Sequence, residues 1–350
     1  MAKHQVRDSK LDHDLQYEKS LDKEQAPNAD DESVVQSSAD TSALPPDSKY
    51  RRIKRYVLFL AFLYIGVCLM LALIQRKLIY FPTHEVSLSV IDWQLPEDHF
   101  HDISIKSEDG LTLHGWHVLP PGRSALDNKE RKWELELGRP VILYFSGNAG
   151  HRGYRHAELH RLSQLNADVF LIDYRGYGEN RGVPSEKNFL RDARSAWDYL
   201  VLTENISADR ILLLGESLGG GVATALASEL IQEGIEPGGL FLKTTFTSLV
   251  DVAALQFPWI PCRMLVTQRY SSIDVIPRVT CPISILHGIN DELIPIELSQ
   301  RLFDAAPDQS NSNVLKTFIE LPTAGHNDVL EVDGDSYMEA VAAMLNEIRR

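Results

Sequence analysis

From Tyr56 to Ile74 the chain reads YVLFLAFLYIGVCLMLALI, an uncharged run of 19 residues, and no other feature constrains the fold as strongly. As a helix rising about 1.5 Å per residue it reaches roughly 28 Å, close to the hydrocarbon thickness of a bilayer. A buried core helix is rarely apolar on every face and bracketed by charge clusters, as this run is. A cleaved leader fits poorly, because the run begins 55 residues in and no small-residue cleavage site precedes Gln75-Arg76-Lys77. The expectation is a transmembrane signal anchor over residues 56–76. Five cations precede it (Lys49, Arg51, Arg52, Lys54, Arg55) and two follow (Arg76, Lys77), so the positive-inside bias keeps the N-terminus cytoplasmic. The large C-terminal part is then lumenal or extracellular; which membrane hosts it is left open. Tyr80 and Phe81 suit the aromatic belt, and the sequon Asn205-Ile206-Ser207 is compatible with this placement.

Residues 1–50 hold 11 acids against 6 Lys or Arg with no helical or strand period, so 1–55 reads as a disordered acidic cytoplasmic tail with a basic juxtamembrane end. The whole 350-residue chain carries a formal charge of −14, which argues against nucleic acid as a partner, since binding it needs a basic stripe. Three cysteines are too few for a disulfide scaffold, and none has the paired spacing of a structural zinc site. Cys68 lies inside the apolar run; Cys262 and Cys281 either pair in an oxidising compartment or are buried thiols.

Residues 82–350 suit one large domain. Ile103 to Lys106 and Leu111 to Val118 flank Asp109-Gly110, a hairpin signal. Val141 to Phe145 is a continuous apolar strand of the kind buried on both faces, and Val169 to Ile172, Ile211 to Leu214, Leu240 to Leu242 and Ile283 to Leu286 repeat it. Amphipathic stretches around Glu158 to Leu165, Phe189 to Leu202, Leu218 to Ile231 and Ile296 to Phe303 lie between them. Such alternation predicts an α/β fold, a mostly parallel central sheet flanked by helices.

Gly215-Glu216-Ser217-Leu218-Gly219 is a G-x-S-x-G pentapeptide, weak alone but set between the strand Ile211 to Leu214 and a small-residue helix, as a nucleophile elbow requires. A serine hydroxyl is a poor nucleophile at neutral pH and needs a base, which in turn needs an orienting group. In this fold class the chain order is Ser, Asp or Glu, then His. Asp291 follows the strand ending at His287, and His326 follows the last expected strand, Phe318 to Leu321. The expected catalytic set is therefore Ser217, Asp291 and His326. Two backbone N–H groups should receive the oxyanion: Leu218, directly after the nucleophile, and Asn148 in the loop Ser146-Gly147-Asn148-Ala149-Gly150.

With these motifs in place, the soluble part resembles the alpha/beta-hydrolase superfamily over roughly Leu78 to His326. It is most similar to the membrane-anchored branch that includes alpha/beta-hydrolase domain-containing protein 13 and the fission-yeast bud-emergence-related hydrolase. The resemblance rests on LIYFP after the anchor, GNAG after the first long strand, DYRGYG at Asp173 to Gly178, GESLGGG at the elbow, FTSLVDVA from Phe246 and CPISILHGINDELIP from Cys281. It implies a nucleophile, acid and base at Ser217, Asp291 and His326, and a small cap at about 246–280, where Phe257-Pro258-Trp259-Ile260-Pro261 lines an acyl pocket, touches lipid or is a plain packing cluster. Two departures stand out: Ser146 where the family usually has histidine, and Asn180 in place of a common serine.

His156 and His160 lie four apart on an expected helix but lack the adjacent glutamate and third ligand of a zinc site, so no metal is expected. Asp173 and Arg175 read as loop braces. No cofactor is required. The expected activity is that of a membrane-anchored serine hydrolase cleaving an ester, thioester or amide, with a lipid or acylated protein as the acyl substrate. The alternatives are a serine peptidase of the same fold and a non-catalytic membrane scaffold, and the oligomeric state is left open.

Overall fold

The computed structural model describes residues 47–348. It divides into two units, Met1–Tyr56 and Val57–Arg350. Of the first, only the opening of a helix is described, and the expected tail up to residue 46 lies outside the described residues. That helix, α1 (Asp47–Ile79), begins well before Tyr56 and carries the basic segment expected to be unstructured. Arginine and lysine are good helix formers, and an adjoining apolar helix removes the cost of nucleation. It is the one helix among the described residues long and apolar enough to cross a membrane.

Eight strands build the main sheet of the second unit: β1 (Phe100–Lys106), β2 (Thr112–Val118), β3 (Val141–Phe145), β4 (Asp168–Ile172), β5 (Ile211–Glu216), β6 (Gly239–Lys243), β7 (Ile283–Gly288) and β8 (Thr317–Leu321). Their spatial order is β8-β7-β6-β5-β3-β4-β2-β1. The hairpin β1–β2 and its junction to β4 are antiparallel, and every other pairing is parallel. Central parallel strands must be apolar on both faces, and side chains alternate between them. Val141, Leu143 and Phe145 join one core; Ile142 and Tyr144 join the other.

Helices cover both faces. Among them are α2 (Asn128–Leu135), α3 (His156–Ser163), α4 (Glu186–Asp198) and α5 (Leu218–Gln232). Phe189 of α4 and Val222 and Leu226 of α5 pack into the first core, while Leu159 and Leu162 of α3 pack into the second. Between β6 and β7 lie the cap helices α6 (Leu249–Gln256), α7 (Cys262–Leu265) and α8 (Ser272–Val275). The chain closes with α9 (Ile296–Ala305), α10 (Val329–Val332) and α11 (Gly334–Ile348). The last was missed in the sequence, although Tyr337, Met338, Val341, Met344 and Leu345 lie at helical spacing and are all buried.

Two loop residues behave as braces. Arg152 grips the buried Asp173 at 2.6 Å, and Arg175 joins Asp192 at 2.6 Å and Asp109 at 2.7 Å. Asn180 is structural: it accepts the His114 N–H at 2.9 Å and donates to the Asp173 carbonyl at 2.6 Å. His156 is tied to the Gly153 carbonyl and His160 to His99, so the two rings are engaged separately. Cys68, Cys262 and Cys281 are three free, buried thiols.

The edge hairpin gathers His99, His101 and His117. Burial holds the imidazoles of His99 and His117 below their ordinary value, and burial with His117 and Arg131 nearby pushes His101 down to about 4. Because an unfolded histidine titrates near about 6.5, the unfolded chain binds the extra proton first. The stability these rings contribute is complete above that value and is lost as pH falls toward about 4. Denaturation of the full-length protein in detergent at neutral and acidic pH should show this loss, and His101→Gln should make it smaller.

Candidate active site

The parallel strands all end on one side of the sheet, and the functional side chains gather there. Ser217 sits between β5 and α5 with φ 51° and ψ −116°, a backbone state that non-glycine residues hold only at a cost of about 1–3 kcal/mol. The surroundings enforce it. The Ser217 N–H donates to the Lys243 carbonyl at 2.8 Å, and the Ser217 carbonyl accepts from Gly220 N–H at 2.9 Å and Thr245 Oγ1 at 3.0 Å. The glycines are needed because backbone meets backbone: a Cβ at Gly219 would stand 2.1 Å from the Phe145 carbonyl oxygen, and one at Gly215 would stand 2.5 Å from the Gly219 oxygen.

His326 reaches back from the loop after β8. Its Nε2 lies 3.0 Å from Ser217 Oγ, and its Nδ1 lies 2.7 Å from Asp291 Oδ2. Asp291 follows β7, and its other oxygen accepts the N–H groups of Leu293 (2.9 Å) and Ile294 (2.7 Å). Burial alone would raise this carboxyl, but hydrogen bonds from His287, His326 and Ile294 outweigh it and hold the group well below the usual carboxylate range. A charged carboxylate at Nδ1 fixes the tautomer whose Nε2 faces the serine with a lone pair. The three side chains expected from chain order thus stand in one hydrogen-bonded line, able to move a proton from hydroxyl to imidazole.

Asn148 lies across from the elbow, in a loop so close that a Cβ on Gly147 would be 3.6 Å from Ser217 Cβ. Its carbonyl accepts from Phe81 N–H at 3.0 Å and Tyr177 Oη at 2.7 Å, while its side-chain amide donates to the Ile79 carbonyl at 2.7 Å. Phe81 and Pro82 pair in parallel with Ala149 and Gly150. The N–H groups of Leu218 and Asn148 have no acceptor on the protein among the described residues. Ser146, which departs from the usual histidine, contributes its carbonyl to Tyr174 Oη at 3.4 Å.

Beneath the serine lies a charge network that sequence reasoning missed. Glu216 accepts from Arg155 Nε at 3.0 Å and Tyr144 Oη at 2.5 Å, and Lys243 Nζ bonds Glu158 at 2.6 Å. Tyr337 Oη donates to Glu158 at 2.8 Å. Two acids face two bases, so the buried charges balance. Arg155 and Lys243 hold the Glu216 carboxyl below its ordinary value despite burial. Apart from the position of Glu216 beside the nucleophile, these residues carried no motif.

The serine opens into a cavity of about 660 Å³, within the range of roughly 300–1,000 Å³ common for small-molecule sites. Its walls are chiefly apolar: Leu71, Leu78 and Ile79 from α1, and Phe257, Ile260 and Val266 from the cap. Phe257, Trp259 and Ile260 of the expected cap segment therefore border the cavity.

A sheet of this order with a serine elbow defines a hydrolase of α/β class, and comparison with known proteins agrees. A family model described as "Serine aminopeptidase, S33" (Hydrolase_4) matches residues 138–244. An uncharacterized protein of Mycobacterium tuberculosis is 35% identical over 81% of this chain and 91% of its own length. Lysophosphatidylserine lipase ABHD12 of Danio rerio is 30% identical over 75% of each chain. Among solved structures, the esterase Pf2001 of Pyrococcus furiosus aligns with a TM-score of 0.56 at 17% identity, covering 77% of this chain and 97% of that one, which shows the shared fold. The chain belongs to the alpha/beta-hydrolase superfamily.

The elbow's tolerance can be tested at Gly219. Gly219→Ala should destabilise the protein by about 3 kcal/mol, the upper end for overpacking, because no side chain can yield to the new methyl. Denaturant unfolding of the detergent-solubilised full chain measures it; an unchanged midpoint would show that α5 can move away from β3.

Proposed function

We propose that the protein is a membrane-anchored serine hydrolase that cleaves the acyl ester of a single-chain lipid. The observation that carries this reading is the line Ser217–His326–Asp291 opening directly into an apolar cavity. Ser217 Oγ attacks the carbonyl carbon while His326 Nε2 takes its proton. The tetrahedral oxyanion is received by the N–H groups of Leu218 and Asn148. His326 then returns the proton to the departing alcohol, and water, activated by the same imidazole, releases the acyl group and restores the serine. Asp291 stays ionised and stabilises the imidazolium. Loss of one oxyanion donor costs about 3 kcal/mol of transition-state stabilisation in comparable enzymes.

Lipid is favoured over peptide by the cavity walls. An aminopeptidase needs a carboxylate to receive the substrate's terminal ammonium, and Glu216, the one carboxylate on the wall among the described residues, is already committed to Arg155 and Tyr144. Relatives that carry the name lysophosphatidylserine lipase support a single-chain lipid. The uncharged run and its cation bias support a cytoplasmic N-terminus and a lumenal or extracellular hydrolase domain. A non-catalytic scaffold has no need of an imidazole aligned on a strained serine.

A fluorophosphonate probe should label the wild type and leave Ser217→Ala unlabelled; equal labelling of the two defeats the assignment. Asp291→Asn, which permits the wrong tautomer, should lower kcat on a palmitoyl lysophospholipid by about 10⁴-fold.

A further inference from the structure

The cap does not stand clear of α1; it runs along the apolar run itself. Tyr64, near the middle of that run, donates its hydroxyl to the Trp259 carbonyl at 2.7 Å. Gln75, past its end, accepts from Thr267 N–H at 2.8 Å and donates to the Leu265 carbonyl at 3.3 Å. Those two helix positions are 11 residues apart, roughly 17 Å along the axis. Cys68, between them, is only 5% exposed, whereas Leu69 and Met70 beside it are more than half exposed. The segment from Trp259 to Thr267 therefore lies alongside a stretch of helix that belongs in hydrocarbon.

Its surface and backbone suit that depth. Phe257, Trp259 and Met264 are 49%, 58% and 85% exposed, and Leu255 joins them at 54%. Pro258 and Pro261 have no N–H to satisfy, and Phe257, Ile260, Cys262, Met264, Leu265 and Val266 each donate theirs to a nearby carbonyl. Most of the segment's backbone N–H groups are thus paired internally, as backbone away from water requires. Arg263, the one cation in the segment, is exposed and has the reach to place its head among lipid headgroups. The cavity that ends at Ser217 has α1 as one wall, through Leu71, Ala72 and Leu78, and this cap segment as another.

We propose that the cap tip is seated in the non-cytoplasmic leaflet of the membrane that α1 spans, and that the gap between cap and α1 is a lateral portal through which an acyl chain passes from that leaflet to Ser217. This rests on the hydrolase reading above for its substrate but on the cap–helix contacts for its surface. The occupant is the bilayer because the cap face is continuous with the apolar run. A protein partner would have to reach the same face through the lipid.

The test uses the full-length protein in phosphatidylcholine nanodiscs. Brominated acyl chains should quench part of the tryptophan fluorescence, and Trp259→Phe should remove most of that quenchable part. Equal emission from wild type in brominated and plain lipid would overturn the seating. The second arm uses Leu255→Glu with Met264→Glu, two exposed positions off the cavity wall. Turnover of a palmitoyl lysophospholipid held in vesicles should fall about tenfold or more, while hydrolysis of water-soluble p-nitrophenyl acetate stays within about twofold, as expected when two charges lift an apolar face from the interface. Equal turnover of the vesicle-held lipid by wild type and double variant would overturn the portal. If the wild type neither takes the fluorophosphonate probe nor cleaves either ester, the hydrolase reading fails, and the quenching result still decides the seating.

Discussion

The close approach of α5 to the sheet is the constraint on which the rest of the site depends. Ser217 holds φ 51° because Gly219 lets the helix lie against the Phe145 carbonyl and Gly215 lets the strand pass beneath it. With the backbone so fixed, the hydroxyl stands at the end of β5, where α5 begins. Everything else is brought to that point: Asp291 by β7, His326 by β8, Asn148 by β3. Gly288 is a second such close approach, since a Cβ there would be 2.3 Å from the Ala324 carbonyl oxygen, two residues before His326. Backbone packing thus sets both ends of the hydrogen bond between imidazole and serine.

The buried charges below the elbow act on the same geometry. Glu216 lies next to Ser217 in sequence and is fastened to Arg155 on α3's approach and to Tyr144 on β3. Lys243, whose carbonyl receives the Ser217 N–H, is fastened to Glu158. Removing one charge from such a group leaves its partner buried and unpaired, which costs more than the intact pair contributes. The network is therefore a rigid footing for the strained turn, with its own balance of charge.

Much of the fold was legible because parallel strands buried on both faces read as uninterrupted apolar words, and Val141 to Phe145 is the plainest. The positions of Ser217, Asp291 and His326 were legible because chain order in this fold class restricts them to the ends of particular strands. The C-terminal helix α11 carried its period in Tyr337, Val341 and Leu345 but followed the last motif and went unread. The helical state of the segment before Tyr56 was hidden by its charge, since a run of Lys and Arg suits a helix and an unstructured tail equally. The charge network could not be read, because Arg155 and Glu158 lie far along the chain from Glu216 and Lys243 and meet them only when the helix α3 packs on the sheet. Nor could the cap's position along α1, which depends on a tyrosine and a glutamine with no motif between them.

The union of Asn148 with the end of α1 has a further consequence. The carbonyl of Ile79 accepts from the Asn148 side-chain amide and the N–H of Phe81 donates to the Asn148 carbonyl, so the segment emerging from the apolar helix is itself a strut of the loop that faces Ser217. A chain cut between the two would keep Ser217, His326 and Asp291 but lose the hold of Ile79, one of the three hydrogen bonds on Asn148. The long apolar helix and the loop that faces the serine are thus joined through the same few residues.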